Sequence, residues 1–92
     1  MVHLLTFDEE ALIDFKEAVE YYKQISADLA SRFQVEFWSK IEELKTNPLQ
    51  YQSRYRDIRL AHLKKFPYAI HFIMEDKRVV VFRILHHKQF YK

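Results

Sequence analysis

Apolar residues change their period once along this chain. Through the first half they recur at spacings of three and four, and beyond residue 57 they alternate. Residues 2–7 (VHLLTF) form a short, apolar, β-compatible run that predicts a strand. Thr6-Phe7-Asp8-Glu9 then fits a capping box, with Asp8 as an alternative N-cap. Leu12, Phe15, Val19 and Tyr22 make one stripe of an amphipathic helix over roughly 8–24. Glu9, Glu10, Asp14 and Glu17 crowd its first turns, where the helix dipole favours anions. Ser26 can cap a second helix striped by Leu29, Phe33, Phe37, Ile41 and Leu44. Val35 and Trp38 add a second apolar flank, as expected of a helix touching both the first helix and a sheet. Asn47-Pro48 ends it, because the residue before a proline is pushed out of the α region. The link Gln24–Ala27 is short enough to force an antiparallel helical hairpin.

Residues 48–56 have no clean period and read as a loop. Alternation then predicts strands near 57–63, 68–75 and 78–86. Glu75-Asp76-Lys77 is a hairpin turn made without glycine, and Asp tolerates the left-handed region well. The order β-α-α-β-β-β describes an α+β fold, one domain over residues 1–92. A helical hairpin packs on one face of a small, mostly antiparallel sheet.

Composition narrows the class. A chain of 92 residues buries only about 60–65% of its unfolded surface, so the core must be dense in large side chains. With 49% hydrophobic and 16% aromatic residues it can be, and disorder is excluded as the main state. There is no Cys, hence no disulfide scaffold, and no Gly, hence no P-loop and no dinucleotide fingerprint. No G-x-S-x-G elbow, His-x-x-x-His pair or acidic cluster is present, so neither a cofactor nor a metal is expected. No run approaches a membrane span, and acid appears too early for a secretory signal, so a cytoplasmic domain without membrane contact is expected.

The net charge of +2 hides a division. Residues 1–46 hold five Lys/Arg against ten Asp/Glu, and residues 47–92 hold ten against three. A basic half predicts a face that meets phosphates or an acidic protein, unless the signs merely segregate on a mixed surface. Strand parity sharpens this. If Ile58/Leu60, Ile70/Phe72 and Phe82/Ile84 face the helices, then Arg59, His71 and Arg83 share the open face. Taken singly, each reads more simply as a solvated strand residue or a packed histidine. With Arg54, Arg56, Lys64, Lys65, His87 and Lys88 they make a candidate phosphate-contacting surface. Tyr51, Tyr55, Phe66, Phe90 and Tyr91 lie near these cations in sequence. They suit either base stacking or completion of a small core, and core is the preferred reading for Phe66. Adjacent His86 and His87 point apart on an extended chain and make poor joint metal ligands. Metal-free RNA cleavage needs a base, an acid and cations at the phosphate, for which His86, Tyr91, Arg59 and Arg83 have the chemistry.

Several segments in this order resemble the RelE/ParE superfamily of type II toxin–antitoxin toxins, the plasmid stabilisation toxins. Ala27-Asp28-Leu29-Ala30-Ser31-Arg32-Phe33 is similar to the start of that family's second helix, and Leu44-Lys45-Thr46-Asn47-Pro48 to its end. Asp57-Ile58-Arg59 and Phe66-Pro67-Tyr68-Ala69-Ile70 resemble its central pattern, and Val79–Ile84 followed by His86 its last strand and terminal His. The resemblance implies a bacterial growth-arresting toxin neutralised by a cognate antitoxin, in a toxin–antitoxin hetero-oligomer. One branch of the superfamily cleaves ribosome-bound mRNA without a metal; the ParE branch poisons DNA gyrase. Arg59 and His86 match residues that are catalytic or RNA-contacting in the nuclease branch, where Tyr91 would stand near the terminal aromatic. Departures are visible: loop 48–57 offers only Asp57 in place of a Glu base, and the tail after His86 is His87-Lys88-Gln89-Phe90-Tyr91-Lys92. The long helical hairpin looks more like the ParE type. Other readings are a non-toxic relic, or a nucleic-acid or partner-binding module of the same fold.

Overall fold

A computed structural model describes residues 3–51, 53–55 and 57–90, without the side chains of 54, 55, 89 and 90. In chain order the elements are β1 (Leu4–Phe7), α1 (Glu9–Ile25), α2 (Ala27–Thr46), a 3-10 turn (Pro48–Gln50), β2 (Ser53–Tyr55), β3 (Ile58–His62), β4 (Tyr68–Glu75), β5 (Arg78–His86) and α3 (His87–Phe90). The expected β-α-α-β-β-β succession is present. Within the segment read as loop lie the 3-10 turn and the three-residue β2. The five-stranded sheet runs β1-β5-β4-β3-β2. Among the described residues only the β1–β5 pair is parallel; the other three are antiparallel.

Local chemistry sets the element ends. Ser26 Oγ accepts the Leu29 N–H at 2.9 Å, which caps α2. Asp8 occupies the N-cap of α1 but makes no side-chain cap bond, and Thr6 is held in β1, so the expected capping box does not form. The β4–β5 turn needs a left-handed residue, and Asp76 supplies it at φ 58°. Asp57, just before β3, does the same at φ 67°.

The helix-facing side of the sheet presents Leu5, Phe7, Ala61, Tyr68, Ile70, Phe72, Val79, Val81 and Ile84 to the hairpin. Ala11, Ala18 and Tyr22 of α1 are buried against it, and Phe15 and Val19 half-buried. The buried stripe is thus turned from the expected one, and Leu12 is 47% exposed. Small residues at 11 and 18 let the helix backbone approach closely, and the larger rings fill the space beside it. From α2 come Ala30, Phe33, Phe37, Ile41 and Leu44. Ring centroids chain across the interior: Phe15–Phe37 at 4.5 Å, Tyr22–Phe33 at 5.2 Å and Phe33–Phe66 at 5.3 Å. Such pairs contribute beyond their buried area. Phe66 is accordingly core, as read from the sequence. Trp38 stands at the core's margin, edge-on to Phe15 at 5.6 Å.

One edge is closed by a side chain. β1 pairs with Arg78–Val81 and Asp8 N–H extends that ladder to the Val81 carbonyl at 2.8 Å. Beyond that point the edge of β5 passes to α1. Asp14 Oδ2 accepts the Ile84 N–H at 2.9 Å and Arg83 Nε–H at 2.7 Å, while Oδ1 accepts Arg83 Nη2–H at 3.2 Å. Asp14 thereby replaces a missing strand partner and neutralises a cation at the same spot. Asp14→Ala removes both and is expected to destabilise the fold by about 2–3 kcal/mol. Asp14→Asn, which still accepts one N–H, is expected to lose less. Urea unfolding midpoints of the two variants check the ranking.

Candidate functional site

Strand register corrects the parity expected from sequence. Arg59 pairs with Phe72, and Ala61 with Ile70, so Arg59 lies on the helix-facing side. Leu60 pairs with His71 on the opposite side. In β5 a bulge falls between the pairs Phe72–Val81 and His71–Arg83, leaving Phe82 as the extra residue. Val81 and Ile84 therefore both face the core, and Phe82 and Arg83 both take the His71 side. Arg59, His71 and Arg83 do not share one face. The helix-free face carries buried Leu60, Ala69, His71 and Val80 with half-buried Ile58, Ile73, Phe82 and Leu85. It is largely apolar, not the cationic face expected. Alternation pointed the other way, because in β3 the large apolar residues Ile58 and Leu60 lie on the helix-free face and Arg59 on the helix-facing side.

Two of the three strand residues are held internally. Arg59 is half-buried and its Nη1 donates to the Tyr51 carbonyl. Arg83 forks onto Asp14 and also lies 3.7 Å from Glu10; the hydrogen bond to Asp14 holds its pKa above the ordinary arginine value. His71 is 1% exposed, edge-on to Phe82 at 6.2 Å. Burial, then the nearby charges of His62 and Arg83, push its pKa down to about 4. It is a neutral, packed histidine at physiological pH.

The remaining candidates gather at the end of the sheet where β3 ends, β4 begins and β5 runs into α3. The intervening turn is fixed by Leu63 N–H to the Tyr68 carbonyl at 2.9 Å and His87 N–H to the Pro67 carbonyl at 2.9 Å. Lys64 and Lys65 project from it, exposed. Their backbone N–H groups are both received by the Glu36 carboxylate of α2, at 3.2 Å for Lys65. That contact shapes a groove between α2 and the turn, lined by Leu29, Arg32, Val35, Lys64 and Lys65 with Phe66. His86 lies edge-on to Tyr68 at 5.2 Å, and its Nδ1 accepts the Lys88 N–H at 3.1 Å. His87 Nε2 lies 3.2 Å from His62 Nδ1. Lys88 is exposed on α3. Arg56 and Tyr91, and the side chain of Arg54, lie outside the described residues.

Sequence reasoning missed His62, Glu36 and Asp14. Each acts through a partner 25 to 70 residues away, a relation that no local pattern encodes. It also missed Tyr51 as a fixed element: its ring meets Phe72 at 6.0 Å and its hydroxyl donates to Glu43 Oε1 at 3.0 Å. Burial and this carboxylate push the Tyr51 pKa up to about 12. Among the described residues no group of three or more His, Cys, Asp or Glu is placed to hold a metal, and no helix is long and apolar enough to cross a membrane.

Two expectations follow from these contacts. The buried neutral His71 binds its proton far more weakly folded than unfolded. Its contribution to stability is therefore intact above pH about 6.5 and lost as the pH falls toward about 4. The folding equilibrium changes by at most about tenfold per pH unit from this group. Urea midpoints measured across that window should slope less in His71→Leu than in the parent chain. Glu36→Gln should speed amide hydrogen exchange at Lys64 and Lys65 and cost about 1 kcal/mol in stability, both readable by NMR and urea unfolding.

The fold has a close counterpart. A solved structure from a chromosomal ParDE toxin–antitoxin system of P. aeruginosa superposes with a TM-score of 0.81 at 17% identity, covering 92% of this chain and 96% of that one. At that identity the likeness establishes the fold. No curated protein matches this chain. The family model for the ParE toxin of the type II toxin–antitoxin system parDE matches residues 5–91. With a match of that extent, this chain belongs to the ParE toxin family of type II toxin–antitoxin systems.

Proposed function

We propose that this protein arrests bacterial growth by acting on DNA gyrase, and that a cognate antitoxin keeps it inactive in a cytoplasmic hetero-oligomer. The observation that carries the choice of gyrase over ribosome-bound mRNA is the fate of the two strand arginines. Arg59 and Arg83 lie on opposite faces of the sheet, and each already has a partner within the protein. A nuclease needs its cations converging on one phosphate. The register also spreads the candidate pair Arg59 and His86. They stand two strands apart and four pairs apart along the strands, which is roughly 13 Å along the sheet and roughly 10 Å across it. His71, the histidine nearest the middle of the sheet, is buried and holds its proton too weakly to serve as an acid near neutral pH.

The nuclease reading retains one group in its favour. His86, His87 and Lys88 adjoin the turn bearing Lys64 and Lys65, and Tyr91 follows closely in sequence. The two readings part in a single experiment: induced expression in a bacterial host, with mRNA 5′ ends mapped and gyrase supercoiling assayed with purified toxin. Growth arrest with inhibited supercoiling and no codon-phased cuts is expected. Phased cuts would overturn the gyrase assignment and return attention to Arg59, His86 and Tyr91. Absence of arrest would leave a partner-binding relic.

A further inference from the structure

We propose that His62 and His87 form a two-histidine site for a borderline transition-metal cation such as Zn2+ or Cu2+, clipping the end of β3 to the start of α3. Imidazole nitrogens suit these metals, and their bonds to zinc are about 2.0–2.1 Å long. Two such bonds meeting at a tetrahedral angle place the nitrogens about 3.3 Å apart, and at an octahedral corner about 3.0 Å apart. His62 Nδ1 and His87 Nε2 are separated by 3.2 Å. The rings stand at 70° to one another with centroids 5.2 Å apart. Without metal this spacing accommodates a hydrogen bond, one nitrogen donating and the other accepting. Deprotonated toward each other, both nitrogens offer lone pairs to a cation seated off the line between them.

The pair is held by the backbone, not by chance contact of two mobile arms. The N–H next beyond His62, that of Leu63, is bonded to the Tyr68 carbonyl. The N–H of His87 itself is bonded to the Pro67 carbonyl of the same turn. Both histidines are thus anchored to one five-residue connection, although they lie 25 residues apart in sequence. His62 is exposed and His87 half-buried, so a hydrated cation can reach them. Water would complete the coordination. His86 is turned to Tyr68 and its Nδ1 is engaged by Lys88, and His71 is buried on the helix-free face, so among the described residues the site has two histidine ligands. A cation held there ties the C-terminal helix to the sheet and adds stability by mass action.

The test uses the full-length chain without a polyhistidine tag and with His3→Gln as its background, because a free Met1-Val2-His3 terminus would itself chelate copper through its amine, two amides and imidazole; it is titrated with Cu2+ or Zn2+ chloride. Calorimetry should show one equivalent per chain, and thermal unfolding should rise with metal concentration. Electron paramagnetic resonance of the copper form of this background protein, with His62 and His87 intact, should report two nitrogen ligands. His62→Gln and His87→Gln should each weaken binding by at least about 10-fold. Absence of binding at millimolar metal, binding indifferent to both substitutions, or a copper signal with one nitrogen or none would overturn the proposal. The spectroscopic arm leaves His62 and His87 unsubstituted, so a folding defect in either substitution leaves the proposal falsifiable.

Discussion

The placement of the helical hairpin depends on one carboxylate. β1 is too short to cover β5, and an uncovered strand edge leaves N–H groups in search of acceptors. Asp14 meets that need from α1, taking the Ile84 N–H and the Arg83 guanidinium together. The helix is thereby fixed in rotation as well as position. Once Asp14 faces the strand, Ala11 and Ala18 fall against the sheet and Tyr22 reaches the aromatic cluster. α2 then packs where Phe33 and Phe37 can meet Phe15. An acidic first turn that suits the helix dipole also serves as a joint between layers.

The same contact governs what the sheet can do chemically. A cation bonded in a fork to a largely buried carboxylate is not available to a phosphate without breaking that ion pair. Arg83 is in that position, and Arg59 is turned onto a backbone carbonyl. The apolar character of the helix-free face has a related effect. It leaves the exposed cations Lys64, Lys65 and Lys88 at one end of the sheet, where turns and a short helix present them.

Most of the fold was legible from periodicity. The helices and the three long strands fall within a residue or two of their expected limits, since spacing of three and four or strict alternation admits few alternatives. Ser26 and Asp76 were legible because each serves a purely local geometry. The faces of the strands were not. Reading Leu60 inward assumed that one side of the sheet is polar, and Leu60, His71 and Val80 are buried on the other. The bulge at Phe82 has no sequence signature in a run of Val-Val-Val-Phe-Arg-Ile, yet it reverses the parity of everything after it. Of the site, the family resemblance was legible from short segments in order, whereas the Asp14–Arg83 and His62–His87 relations exist only after the chain has folded.

Among the described residues the two left-handed positions, 57 and 76, are both aspartate, and the chain contains no glycine. Each such aspartate carries a modest steric cost in the native state. The unfolded chain, however, lacks the residue type with the widest conformational freedom. Its ensemble is narrower than that of a chain of equal length at each position where that chain would carry glycine, and less entropy is surrendered there on folding. Part of what holds this small domain together is therefore absent from any list of its contacts: it resides in the restricted freedom of the state that the fold competes against.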